Sequence, residues 1–244
     1  MTDEEIKNWK WPLVIALSLV LVIVGIHFVE YMDWIYLKHY SMKPKDLKGL
    51  KGIFTMPFLH KDWSHVWGNS TALLVLTFCL FYFYKKIAWQ SLLFIYLLGG
   101  MWLWIAGQLG SSHIGASGVV YGLASFLFVS GIIRKNPRLM GISMLVAFLY
   151  GSFFWGVLPL EGNIEKRISW DGHLYGALAG TAMAFFFRKD GPQRKIYQFE
   201  IDEMLEEQEL KRMEELQKIL EEQKSNVKIV YHYRKEDPSK NELE

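Results

Sequence analysis

The apolar residues of this chain come in blocks, and the blocks have the length of membrane-crossing helices. Pro12 to Val29, Ser64 to Tyr84, Ile87 to Ile133 and Leu139 to Leu160 contain no Asp, Glu, Lys or Arg, and Ile168 to Phe187 contains Asp171 alone. A hydrocarbon core about 30 Å thick takes about 20 helical residues, so the long window from Ile87 to Ile133 must hold two crossings. The break inside it is Gln108-Leu109-Gly110-Ser111-Ser112-His113, where glycine and polar residues mark a turn at the membrane surface. The pattern therefore predicts six helices, the fourth starting close to Gly115. Glu30 to Trp63 is a long outer connector whose apolar stretch, Ile53 to Leu59, is too short to cross and is expected in the outer interface.

After Phe187 the pattern changes. Ile201, Met204, Leu205, Leu210, Met213, Leu216 and Leu220 recur mostly three and four apart among Glu, Lys and Gln, which predicts an amphipathic helix over about 197–224. That helix is expected to be solvated, lying on the membrane face or self-associating with a second copy. Val227 to Tyr233 reads as a short strand, and the last ten residues as disordered. The expected organisation is a cytoplasmic N-terminus over 1–11, a membrane domain over 12–187 with its outer loop at 30–63, and a cytoplasmic tail over 188–244.

Composition alone does not give this picture. The chain is 51% hydrophobic and 16% aromatic, only slightly above a soluble average, so the clustering carries the argument. Pro12 to Val29 is too long for the core of a typical secretory signal and has no small-x-small cleavage site after it, so it reads as a retained helix. Lys and Arg set the orientation. One side carries Lys7, Lys10, Lys85, Lys86, Arg134, Lys135, Arg138, Arg188, Lys189, Arg194 and Lys195; the other has only Lys166 and Arg167 in short loops, plus six lysines in the long connector. Both termini are thus expected on the cytoplasmic side of the cell membrane. The net charge of +2 is spread over loops and gives no nucleic-acid surface. Cys79, the single cysteine, can form no disulfide within the chain.

Against this apolar background a few polar groups stand out, because burying one without a partner costs several kcal/mol in lipid. By topology the fourth, sixth and second helices all run inward from the outer surface, placing Ser117, His173, His65 and Asn69 at similar depth. His65 and Asn69 are four residues apart, about 5.4 Å along a helix and on one face. Serine is a weak nucleophile until a base takes its proton, and neutral imidazole suits that task. Attack on a peptide carbonyl creates an oxyanion; the Asn69 amide, the His65 imidazole and the Ser117 backbone N–H are donors of the right type. Asp171, two residues before His173, points to the far side of its helix, so a Ser-His dyad is expected rather than a triad.

His60-x4-His65-x3-Asn69, Gly115-x-Ser117-Gly118 with Tyr121, and His173-x2-Gly176-x3-Gly180 together resemble the rhomboid family of intramembrane serine proteases, over roughly Phe54 to Phe187. The resemblance implies an all-α membrane protein with a six-transmembrane-helix rhomboid-like bundle. It also implies a serine endopeptidase with Ser117 as nucleophile, His173 as general base and acid, and His65 and Asn69 as oxyanion donors. Tyr121 would pack against the His173 ring, with Gly115 and Gly118 supporting the dyad and Gly176 and Gly180 letting helices approach. The implied partners are the lipid bilayer and single-span membrane proteins cut near the outer end of their helix, and no cofactor is implied. Where the family commonly has Trp-Arg in the first outer loop, this chain has Lys51-Gly52, which bears on how that loop is braced.

Other chemistries fit less well. The zinc signature His-Glu-x-x-His is absent, and His60 and His65, five apart, would point about 140° away from each other on a helix, so no metal site is expected. Gly115 to Val119 lacks the second glycine of the soluble hydrolase elbow. A small transporter would need paired charges in its spans. The alternative of a different class is a catalytically silent rhomboid-like protein that binds and escorts transmembrane segments.

Overall fold

The structure, a computed structural model, describes residues 9–150, 153–160, 169–193, 197–226 and 231–233. The chain divides into two compact units, Met1–Arg194 and Lys195–Glu244.

Among the described residues of the first unit, four helices are long and apolar enough to cross a membrane: α1 (Lys10–Tyr31), α2 (Trp63–Phe83), α3 (Ala88–Ala106) and α4 (Ser117–Arg134). Their 18 to 22 residues extend about 27 to 33 Å at 1.5 Å per residue. α5 (Pro137–Tyr150) and α6 (Trp170–Phe186), of 14 and 17 residues, are shorter. Within the apolar window from Leu139 to Leu160, Leu139 to Tyr150 belong to α5 and Phe153–Gly156 are helical, while residues 151 and 152 lie outside the described residues.

Local signals set the helix ends. The Asp62 carboxylate accepts the His65 N–H at 2.9 Å and caps α2. Lys135 adopts a left-handed conformation (φ 47°) that ends α4. Asn136 Oδ1 then accepts the Arg138 N–H at 3.1 Å, and Pro137 opens α5.

α4 is the centre of the unit, packing against α2, α3, α5 and α6, while α1 lies on α2 and α6 also meets α3. Val120, Leu123, Phe126 and Leu127 of α4 are fully buried, as are Val66, Leu76 and Leu80 of α2. α1 instead exposes Leu17, Leu21, Val22 and Phe28, the apolar surface a lipid-facing helix presents. Between α1 and α2 the chain makes short turns, including a helix at Gly52–Thr55 and a 3-10 turn at Met56–Phe58. It is tied to α3 where the Trp104 indole donates to the Asp46 carbonyl (2.9 Å) and the Tyr96 hydroxyl to the Phe54 carbonyl (2.6 Å).

The second unit holds α7 (Gln198–Asn226), with an exposed ion pair between Glu207 and Lys211 at 2.7 Å. Of the expected strand, Val227 to Val230 lie outside the described residues, and Tyr231 to Tyr233 have no regular structure. The last ten residues, and Lys7, Lys166, Arg167, Arg194 and Lys195 used for orientation, also lie outside them.

Candidate active site

Ser117 is the first residue of α4 and His173 the fourth of α6. The Ser117 hydroxyl lies 2.9 Å from His173 Nε2, and His173 Nδ1 lies 3.0 Å from the Gly156 carbonyl oxygen. A carbonyl can only accept, so the proton sits on Nδ1 and Nε2 keeps the lone pair that takes the Ser117 O–H. The Tyr121 ring stacks on the imidazole, with centroids 4.1 Å apart and planes within 9°. His173 is thus held on one edge by a backbone carbonyl and on one face by an aromatic ring. Asp171, 5% exposed, accepts N–H groups from Gly172 (3.0 Å) and Gln108 (3.2 Å), and so faces the turn after α3.

Two glycine pairs allow α4 and α6 to come this close. A methyl group at Gly176 would overlap the Gly118 carbonyl, and one at Gly180 the Gly122 carbonyl. Any side chain there would push the helices apart, and with them the dyad.

On the other side of Ser117, Gly115 has φ +107°, a conformation that residues with a Cβ rarely adopt. Its N–H is bound to the Met56 carbonyl at 2.8 Å. A Cβ at Gly115 would lie 2.7 Å from His65 Nε2 and 3.3 Å from Asn69 Nδ2, so both side chains close over the backbone leading into Ser117. The first amides of α4 have no helical acceptor and add donors beside them.

Asn69 is itself oriented. Its Nδ2 lies 3.0 Å from His60 Nε2, and burial, with His65 close by, pushes His60 down to about 4. His60 is therefore neutral at neutral pH, accepts from Asn69 through Nε2, and turns its Nδ1–H to the Phe58 carbonyl at 3.4 Å. One Asn69 N–H is used this way and the second remains. The helical projection that separated His60 from His65 by about 140° does not apply, because His60 precedes α2 in a non-helical segment. The two rings sit 4.9 Å apart. Among the described residues, no group of three or more His, Cys, Asp or Glu is placed to hold a metal ion.

A family model for the Rhomboid domain matches residues 48–190. The chain belongs to the rhomboid family. This rhomboid is 31% identical over 202 residues to uncharacterised proteins of Mycobacterium tuberculosis and Mycobacterium bovis, covering 80% of this chain and 82% of each relative. It is also 31% identical over 204 residues to an uncharacterised protein of Mycobacterium leprae, covering 79% and 78%. A multi-pass membrane protein follows, in a family of intramembrane serine proteases that also contains inactive members.

Sequence reasoning missed several groups in this rhomboid. The Gly156 carbonyl carries no side-chain signature; its only signal is a glycine in an apolar window, where a methyl group would overlap the Tyr121 hydroxyl. The first outer loop, which lacks Trp-Arg, is braced by close approach instead, since a methyl group at Gly52 would overlap the Met42 backbone. His113 and Ser169, beside the dyad, also passed unnoticed.

Proposed function

We propose that the protein is an intramembrane serine endopeptidase that cuts single-span membrane proteins near the outer end of their transmembrane helix. The observation that carries this reading is the Ser117 hydroxyl 2.9 Å from His173 Nε2, with Nδ1 engaged by the Gly156 carbonyl. His173 Nε2 takes the Ser117 proton as Oγ bonds to the scissile carbonyl carbon. The negative charge gathers on the carbonyl oxygen, within reach of the Asn69 amide, His65 and the first amides of α4. Collapse of this intermediate expels the amine, which takes the proton from Nε2. A water activated by the same imidazole then releases the acyl group.

In this reading α5 and α6 complete six crossings, both termini face the cytoplasm of a cell, and α7 serves regulation or self-association rather than chemistry. No cofactor takes part. Treating the purified protein with an alkyl fluorophosphonate tests the proposal. Labelling at Ser117, lost in His173→Ala, supports it. Absence of labelling in folded protein would favour a silent binder of transmembrane segments.

A further inference from the structure

Four residues before Ser117, the turn between α3 and α4 carries a buried histidine that the chemistry above does not use. His113 is 5% exposed, with Nε2 2.6 Å from the Ser111 hydroxyl and Nδ1 2.6 Å from the Ser169 hydroxyl. Ser111 has one proton and gives it to the Gln108 carbonyl at 2.6 Å. Its oxygen therefore accepts from His113 Nε2–H, which leaves Nδ1 bare to accept the Ser169 O–H. Burial pushes His113 below the usual imidazole range, although Asp171, whose Oδ1 is 3.7 Å from Nδ1, pulls the other way.

The histidine backbone is engaged as well. His113 N–H donates to the Met42 carbonyl (2.8 Å) and Met42 N–H to the His113 carbonyl (3.0 Å), an antiparallel bridge to the first outer segment. Ser169, at the far end of the side-chain link, accepts the His173 N–H through its carbonyl at 3.1 Å. Asp171 completes the contact by accepting the Gln108 N–H from the same turn. One residue thus touches the segment leading into Ser117, the outer segment before α2, and the start of the helix that carries His173.

We propose that His113 is a positioning residue that latches the start of α6 to the turn before α4 and so sets the distance between Ser117 and His173. The proposal rests on the protease reading for its effect on rate, but the latch itself is a structural statement. A neutral imidazole suits the role because it offers a donor and an acceptor at separate ring positions, which one serine hydroxyl each can meet.

The test uses the full chain in liposomes, as His113→Ala, Ser169→Ala, the double variant and His113→Gly. A misplacement of about 1 Å costs around 10²-fold in rate, so kcat for a single-span substrate and the labelling rate of Ser117 should fall about tenfold or more, with KM little changed. The double variant should be no worse than either single one, since both break the same link. Added imidazole should restore part of the rate of His113→Gly, which a loss of packing elsewhere would not allow. In parallel, amide hydrogen exchange over residues 170–176 should quicken in His113→Ala and in Ser169→Ala, the latter removing only one hydroxyl. Parental exchange in both variants overturns the latch even if the parental protein never labels, an outcome that would separately sink the protease reading. Unchanged kcat in His113→Ala, or additive losses in the double variant, also overturns it.

Discussion

Both ends of α4 bury polar side chains, and they use them differently. At the C-terminal end, Arg134 donates to the Ser130 hydroxyl at 2.8 Å, to the Pro192 carbonyl at 3.0 Å and to the Phe187 carbonyl at the end of α6, and lies 5.5 Å over the Tyr84 ring. Each of its three guanidinium nitrogens donates to a protein acceptor, as a buried cation requires. At the N-terminal end, Ser117 and His173 are bound to each other, and Asn69 keeps a second N–H after serving His60. What sets this end apart is a hydroxyl bound to an imidazole that can take its proton. On the protease reading the same helix therefore has a structural end and a chemical end, and the distinction can be broken by experiment.

The largest effect is expected at the chemical end. Ser117→Ala and His173→Ala should each reduce cleavage of a single-span substrate to background, and the double variant should be no slower, because the two act as a unit. Substantial turnover by either single variant would remove the distinction altogether.

Next in size is the packing that holds the dyad. Gly176→Ala places a methyl group on the Gly118 carbonyl, so α6 must move away from α4 by an ångström or more, and about 10²-fold or more in labelling rate should be lost. Ala184, farther along α6, is not a neutral control site: it is 0% exposed, and a leucine there would overpack the core. Leu178, 46% exposed on the same helix, serves instead, and Leu178→Ala should label at the parental rate. Equal rates for Gly176→Ala and Leu178→Ala would show that the close approach does not set the dyad.

How far these features were legible in the sequence depends on whether side chains or backbone carry them. Charge-free blocks located the four long helices within one or two residues at most ends, and the shared depth of Ser117, His173, His65 and Asn69 followed from their direction of travel. The Gly156 carbonyl was invisible, since any residue supplies one. His113 looked like an ordinary turn residue, because its partners Ser111 and Ser169 come from positions 58 residues apart. The relation of His60 to His65 was misjudged by extending a helix backwards past Asp62, the residue that caps it.

A smaller loss is expected from Asn69→Ala, which on the protease reading removes one oxyanion donor among several: about 10² to 10³ in kcat. His60→Ala should give part of that loss by freeing the Asn69 amide to rotate, and a His60→Ala variant with parental kcat would show that Asn69 needs no such support. The same residue makes stability pH-dependent. With His60 held at about 4 in the fold against an ordinary 6.5, the unfolded chain binds the extra proton first as pH falls. Stability should therefore decline from about pH 6.5 down to pH 4, where the native state protonates too. The fall in Tm over that interval should be shallower in His60→Ala than in the parent; parallel slopes would mean that His60 is not the group responsible.

The smallest effect on chemistry is expected at the structural end, although the effect on stability is not small. Arg134→Ala removes a donor from the Phe187 carbonyl, which keeps the Asp190 N–H at 3.0 Å, and from the half-buried Pro192 carbonyl; a carbonyl that loses its partner in a fully buried site costs roughly 1–3 kcal/mol, so the loss is expected toward the lower end of that range. Arg134→Met keeps much of the apolar stem over Tyr84 while deleting the same donors, so it separates lost packing from lost hydrogen bonds. Both variants should melt at lower temperature than the parent, Arg134→Ala more than Arg134→Met. Measured per folded molecule, the rate at which the fluorophosphonate labels Ser117 should stay near the parental value, because no atom at this end touches the dyad or the groups that orient it. A fall in labelling comparable to that of Asn69→Ala would mean that strain at the C-terminal end of α4 is carried along the helix to its first turn, and that the two ends are one coupled unit rather than two with separate tasks.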